Sequence, residues 1–169
     1  MLKTYKIKYY GERSIADSLN MQSAIHYNNV LLMHWRTYKK TGIWLSKYSA
    51  MRIEDYMCET ILHAHSRDAA QEAFYNACKT SKALKKSGNE AAKYPRKRRF
   101  FRTTTWKTTG IRKKGNKLLL SLARGNEPII IRLNQQLSQF PQAAFKVVKL
   151  VYDKFSSKYW FHITVEDGI

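Results

Sequence analysis

The chain has 169 residues, 44% of them hydrophobic, and its 31 Lys and Arg against 12 Asp and Glu give a formal net charge of +19. That apolar share supplies a core for one ordinary domain or two small ones and excludes a disordered basic tail. The charge imbalance opposes compaction and calls for a polyanionic partner, phosphate backbones before membrane surfaces.

Lys3, Lys6 and Lys8 break any apolar run at the start, so no signal peptide is expected. Aliphatic runs such as Val30 to Met33 fall far short of the ~20 residues of a spanning helix, and no membrane partner is expected. Cys58 and Cys78 make no disulfide framework, which predicts a reducing, cytoplasmic setting. Residues 2 to 10 alternate, with Tyr5, Ile7 and Tyr9 on one face and Lys6 and Lys8 on the other, as a half-exposed strand does.

Three helical stretches follow. The first starts near Ser14, read as an N-cap with Asp17 three residues on. Its stripe of Ala24, Tyr27, Leu31, Trp35 and Tyr38 runs until Gly42 interrupts it. The second carries Ala50, Ile53, Met57, Ile61 and Ala64. The third begins after Ser66, carries Ala70, Ala73, Phe74, Ala77 and Leu84, and stops at Gly88. One apolar stripe per helix predicts a small bundle.

Beyond Gly88 the helical period gives way to Thr, Ile, Val and aromatics, and strands are expected at about 99–106, 117–122, 128–133, 144–152 and 158–166. The connections are too short for parallel crossovers, so pairing should be antiparallel. The predicted fold class is α+β: a first strand at 1–12, a helical insertion at 13–89, and a remainder at 90–169 that joins the first strand in one sheet or barrel.

From Lys79 to Lys117 there are 15 Lys or Arg and one acid, Glu90. Arg presents a planar fork of donors to phosphate, and aromatic faces stack on unpaired bases. The expected nucleic-acid surface comprises Lys79, Lys82 and Lys86 at the end of the third helix, then Tyr94, Arg96, Lys97, Arg98, Arg99, Phe101 and Arg102. Thr103 and Thr104 follow as hydroxyl donors, with Lys107, Arg112, Lys113 and Lys114 extending the surface. A solvated charged face would mix signs, and this one does not. The alternation of strand faces places at least one of Phe100 and Phe101 in the core.

No catalytic site is expected. His63 and His65 stand two apart on a helix and cannot share a metal, and there is no CxxC, GxxxxGK[ST] or GxSxG. Glu54, Asp55, Glu59, Asp68 and Glu72 lie on helices beside basic residues and read as surface. No metal ligand is assigned.

The order of segments resembles the N-terminal region of the TnpB/OrfB family, transposon-encoded RNA-guided nucleases related to type V CRISPR effectors. The resemblance is carried by Gln71 to Leu84, similar to a recognition-lobe helix, and by Tyr94-Pro95 before Lys97, Arg98 and Arg99, similar to an [FY]-P-x-[FY]-K junction in which Arg96 replaces an aromatic. Gly110 to Leu120, Ile129 to Leu133, Lys146 to Val151 and Tyr159 to Glu166 are similar to the strands that end the family's wedge domain. The match spans essentially the whole chain and is strongest from about 94 to 166.

The resemblance implies an antiparallel wedge-type β-barrel with an inserted helical recognition lobe. It implies guide RNA and double-stranded target DNA as partners, with Gln71 and Lys79 as base-reading residues. Cleavage in that family belongs to a RuvC-like domain, and Mg2+ is expected only there; the sequence ends at Ile169 without that domain's carboxylates or the family's zinc ribbon. The implied role is therefore the binding portion of such an endonuclease, not itself an enzyme. The alternatives are one half of a split active nuclease, completed by a separate RuvC-like chain, or an RNA-guided repressor.

Overall fold

The computed structural model describes residues 1–97 and 102–168. Strand β1 (Leu2–Lys8) leads into three helices, α1 (Arg13–Thr41), α2 (Lys47–Met57) and α3 (Ala64–Lys86). Strands β2 (Thr104–Lys107), β3 (Ile111–Lys114), β4 (Lys117–Leu120) and β5 (Ile129–Arg132) follow. A short α4 (Gln135–Ser138) precedes the long hairpin of β6 (Phe145–Asp153) and β7 (Lys158–Glu166). The α+β class and the antiparallel pairing are as predicted.

The strands form two sheets rather than one closed barrel. The first has the order β1-β7-β6-β2 and the second β3-β4-β5, and among the described residues no ladder joins them. The cause is local. A 3₁₀ turn at Thr108–Gly110 follows β2 and redirects the chain, so β3 founds a new sheet instead of extending the first. Both sheets nevertheless feed one core: Trp106, Val148, Phe161 and Ile163 from the first pack with Ile111, Leu118, Leu120 and Ile131 from the second. Each such side chain is worth about 1.5–3 kcal/mol of burial. Tyr5, Ile7 and Tyr9 pack against that core, as the alternation of β1 predicts.

The helices build a second core from Tyr27, Val30, Leu31, Ala50, Phe74 and Cys78. Helix α1 belongs to both, since Ala16 and Leu19 from its first turns enter the sheet core. Their boundaries depart from expectation at three points. Helix α1 starts at Arg13 with Glu12, not Ser14, as N-cap, and the Glu12 carbonyl alone closes the first turn through the N–H groups of Ile15 and Ala16. Helix α2 ends at Met57 because the next segment turns toward the sheets, where Leu62 is buried and bridges Leu122. Helix α3 starts at Ala64, capped by the His63 ring, which leaves Ser66 buried inside it. Gly42 and Gly88 end α1 and α3 with left-handed backbone, a conformation glycine adopts without a Cβ clash. No helix among the described residues is long and apolar enough to cross a membrane.

Candidate nucleic-acid interface

The second half of α3 exposes Lys79, Lys82 and Lys86. At offsets of three and four these three share one face of the helix. The chain then doubles back along α3. Ser81 Oγ donates to the Lys93 carbonyl at 2.9 Å, and the Tyr94 ring packs on the helical core with Lys85 Nζ 4.7 Å above it. Arg96 and Lys97 follow, both exposed. None of Lys79, Lys82, Lys86, Arg96 and Lys97 enters an ion pair among the described residues. Arg98, Arg99 and Phe101, expected to continue this surface, lie outside the described residues, as does Phe100.

The rest of the basic stretch divides. Exposed Arg112 and Lys114 sit on the β3–β4 hairpin. That hairpin begins beside the other end of α3, where a Cβ on Gly110 would lie 3.3 Å from His63 Nδ1. A 23-residue helix spans roughly 34 Å, so two basic areas flank its length where one continuous surface was expected.

Three expected contacts are committed elsewhere. Lys107 Nζ reaches Glu72 Oε2 at 3.4 Å. Lys113 Nζ donates to the carbonyls of Ser138 and Phe140 at 2.6 and 2.7 Å, pinning the hairpin to the loop after α4. Thr104 is fully buried, not a phosphate donor: its backbone N–H and its hydroxyl donate to Asn20 Oδ1 at 3.2 and 2.7 Å, and the hydroxyl also meets Ser23 Oγ at 2.8 Å. Asn20 Nδ2 donates on to the Leu150 carbonyl at 3.2 Å, so this polar pin fastens α1 to the first sheet. Half-buried Arg102 stacks over Tyr27 at 4.0 Å, while Thr103 is exposed.

The first half of α3 faces a different environment. Glu54, read from the sequence as surface, is 1% exposed and sits at the centre of a polar hub. Its carboxylate meets His26 Nδ1 at 2.7 Å, Asn29 Nδ2 at 3.1 Å, Arg67 at 3.1 Å and the Gln71 amide. Arg67 also donates to the carbonyls of Glu54 and Cys58 at 2.8 and 2.7 Å and pairs with Asp55 at 2.9 Å. Burial alone would raise the Glu54 pKa, but hydrogen bonds with His26, Asn29 and Gln71 outweigh it and hold the group at about 2. Gln71 cannot read bases in this arrangement. It is 0% exposed, and its amide is shared between Glu54 and Asp55. Lys79, eight residues on, is exposed.

Among the described residues one trio of metal-ligating types comes together, His26, Glu54 and Cys58. It does not fit a cation. Both ring nitrogens of His26 are engaged, by Glu54 and by Thr60 Oγ1 at 2.7 Å each, and the Arg67 guanidinium already neutralises the carboxylate. Cys78, the other thiol, lies in the helical core, where burial raises its pKa to about 11.

Neither protein-family models nor curated proteins match this chain. Sequence reasoning passed over the Glu54 hub because the acids that flank it in sequence are exposed, and a lone carboxylate carries no burial signal. It also passed over Trp44, which sits in no periodic stripe.

Proposed function

We propose that this chain binds nucleic acid through the exposed cations of α3 and of the segment at 93–97. We further propose that it does so as the recognition and wedge-type portion of a TnpB-like RNA-guided DNA endonuclease, gripping guide RNA and target DNA in a cytoplasmic setting. The observation that carries the binding reading is the lack of any carboxylate partner for Lys79, Lys82, Lys86, Arg96 and Lys97 among the described residues. In a protein of net charge +19, five exposed cations that no carboxylate claims among the described residues are available to an external polyanion.

The chain's plan supports the family reading. Strand β1 pairs with β7, the last strand, and the three-helix module is inserted between β1 and β2. A helical lobe inserted into an antiparallel β body is what the resemblance implies. The shared core of the two sheets is the wedge-like part; barrel closure there would require pairing beyond the ladders seen.

The test is RNA binding as a function of salt. Replacing Arg96, Lys97, Arg98 and Arg99 together by Gln should lower affinity and reduce the slope of log K against log salt by about 3 for single-stranded RNA. An unchanged affinity and slope would remove this surface from the interface. Sequencing the RNA that copurifies tests the family: one discrete transposon-end transcript supports it, and a heterogeneous pool counts against it.

A further inference from the structure

Four aromatic rings meet where α1 ends. Trp35, Tyr38 and Trp44 lie within 6.1 Å of one another, centroid to centroid, and Tyr94 stands 5.6 Å from Trp35 and 6.0 Å from Trp44. Gly42 makes the meeting possible: its left-handed backbone turns the chain so that Trp44 folds back on α1. The cluster rests on a rigid floor. His34 is fully buried, with its ring 4.5 Å from Trp44 and 4.8 Å from Trp35. Its Nδ1 lies 3.0 Å from the Tyr75 hydroxyl, which donates in turn to the Leu45 carbonyl at 3.1 Å.

Core packing accounts for the floor but not for the top. Tyr38 and Trp44 are each 44% exposed, and an indole left this open on a fixed scaffold offers a flat apolar face to a ligand. The surrounding charge selects among ligands. Lys39 and Lys40 are exposed in the last turn of α1, Lys85 stands over Tyr94, and no Asp or Glu occurs from Ser18 to Ile53. An aromatic cage of this kind could hold a quaternary ammonium, but Lys85 over Tyr94 and the acid-free, basic end of α1 disfavour a cation. A flat ligand that carries negative charge satisfies both the rings and the lysines.

We propose that Tyr38 and Trp44 form a stacking shelf for unpaired nucleobases, so that this end of the helical module takes single-stranded nucleic acid. The shelf rests on the nucleic-acid reading above and adds to it a strand preference. Lys85, over Tyr94, is the lysine placed to hold a phosphate of the stacked nucleotides, while the duplex-compatible contacts remain with the other cations of α3 and the segment at 93–97. Stacking demands no particular base, so the shelf tolerates any sequence.

The experiment compares binding of short oligo(U) RNA and of a blunt RNA duplex by the full chain. Replacing Tyr38 and Trp44 together by Ala should lower oligo(U) affinity about 5- to 150-fold for each stacked base lost, while the salt slope and the duplex affinity stay as in the wild type. Trp44→Phe, which keeps a ring, should retain most of the affinity. Photocrosslinking of the wild-type chain to oligo(U) carrying 4-thiouridine needs no variant to fold, and crosslinks should map to Tyr38 or Trp44. An oligo(U) affinity unchanged in the double variant, an equal loss for duplex, or crosslinks confined to other segments would overturn the shelf and leave the nucleic-acid reading standing. A wild-type chain that binds neither RNA at any salt would end both.

Discussion

Helix α3 holds two kinds of charge on one rod. In its first half, Arg67 is nearly buried and tied to Glu54 and Asp55, with Gln71 beside it. In its second half, Lys79, Lys82 and Lys86 face solvent, and no ion pair claims them among the described residues. The residue types already differ, since the first half carries Asp68 and Glu72 while the second carries Lys and no acid. The fold widens that difference: the first half also receives the carboxylates of Glu54 and Asp55 from α2, whereas no ion pair reaches Lys79, Lys82 or Lys86 among the described residues. Charge enclosed by the fold stabilises it, whereas charge left open is free for a partner.

That contrast can be broken at its strongest point first. Glu54→Ala should cost about 3–5 kcal/mol in urea unfolding, because it leaves nearly buried Arg67 with only the exposed Asp55 as counter-charge and takes the buried acceptor from His26, Asn29 and Gln71. Acid should act on the same bond. The Glu54 carboxyl is held at about 2, below its ordinary 4.5, so its contribution is complete above the unfolded value and fades as pH falls from about 5 toward 2. About 3 kcal/mol of stability should disappear over that window. Unfolding midpoints taken across it should fall in the wild type and stay flatter in Glu54→Gln. Thr104→Val should cost less, about 1–3 kcal/mol, by leaving Asn20 Oδ1 short of a donor at the joint between helices and sheet.

The open half of α3 should give the smallest stability change and a large change in binding. Replacing Lys79, Lys82 and Lys86 by Ala should move the unfolding free energy by no more than about 0.5 kcal/mol. The same triple variant should reduce the salt slope for single-stranded RNA by about 2. A stability loss comparable to that of Glu54→Ala would erase the distinction between the two halves.

Much of the fold was legible from periodicity. The alternation in β1 and β7, the stripe on α1 and the glycine stops each express a strong local preference, and tertiary contacts reinforced them. β3 was missed because Ile111-Arg-Lys-Lys offers one apolar residue and no alternation; its place is fixed by pairing with Leu118 to Leu120. The candidate surface was legible as charge density but not as exposure. Thr104 and Gln71 look like solvent-facing donors in sequence, and only the partners brought from α1 and α2 reveal that their hydrogen bonds are spent inside the protein. The aromatic stripe of α1 was read correctly, yet its last member, Tyr38, runs beyond the core it began in and becomes surface.

The pairing of β1 with β7 carries a consequence for the order in which the chain folds. Leu2 lies opposite Glu166 and Lys8 opposite Trp160, so this ladder closes a loop of almost the full chain length. The contacts among α1, α2 and α3 close far shorter loops, and chain entropy opposes them less. The helical module and the β6–β7 hairpin can each form early from local contacts. Strand β1 is made before its partner β7 during synthesis, and the entropy of closing so long a loop favours its ladder forming after the helical module and the β6–β7 hairpin. An amide-exchange refolding pulse would contradict that order if β1 amides were protected first.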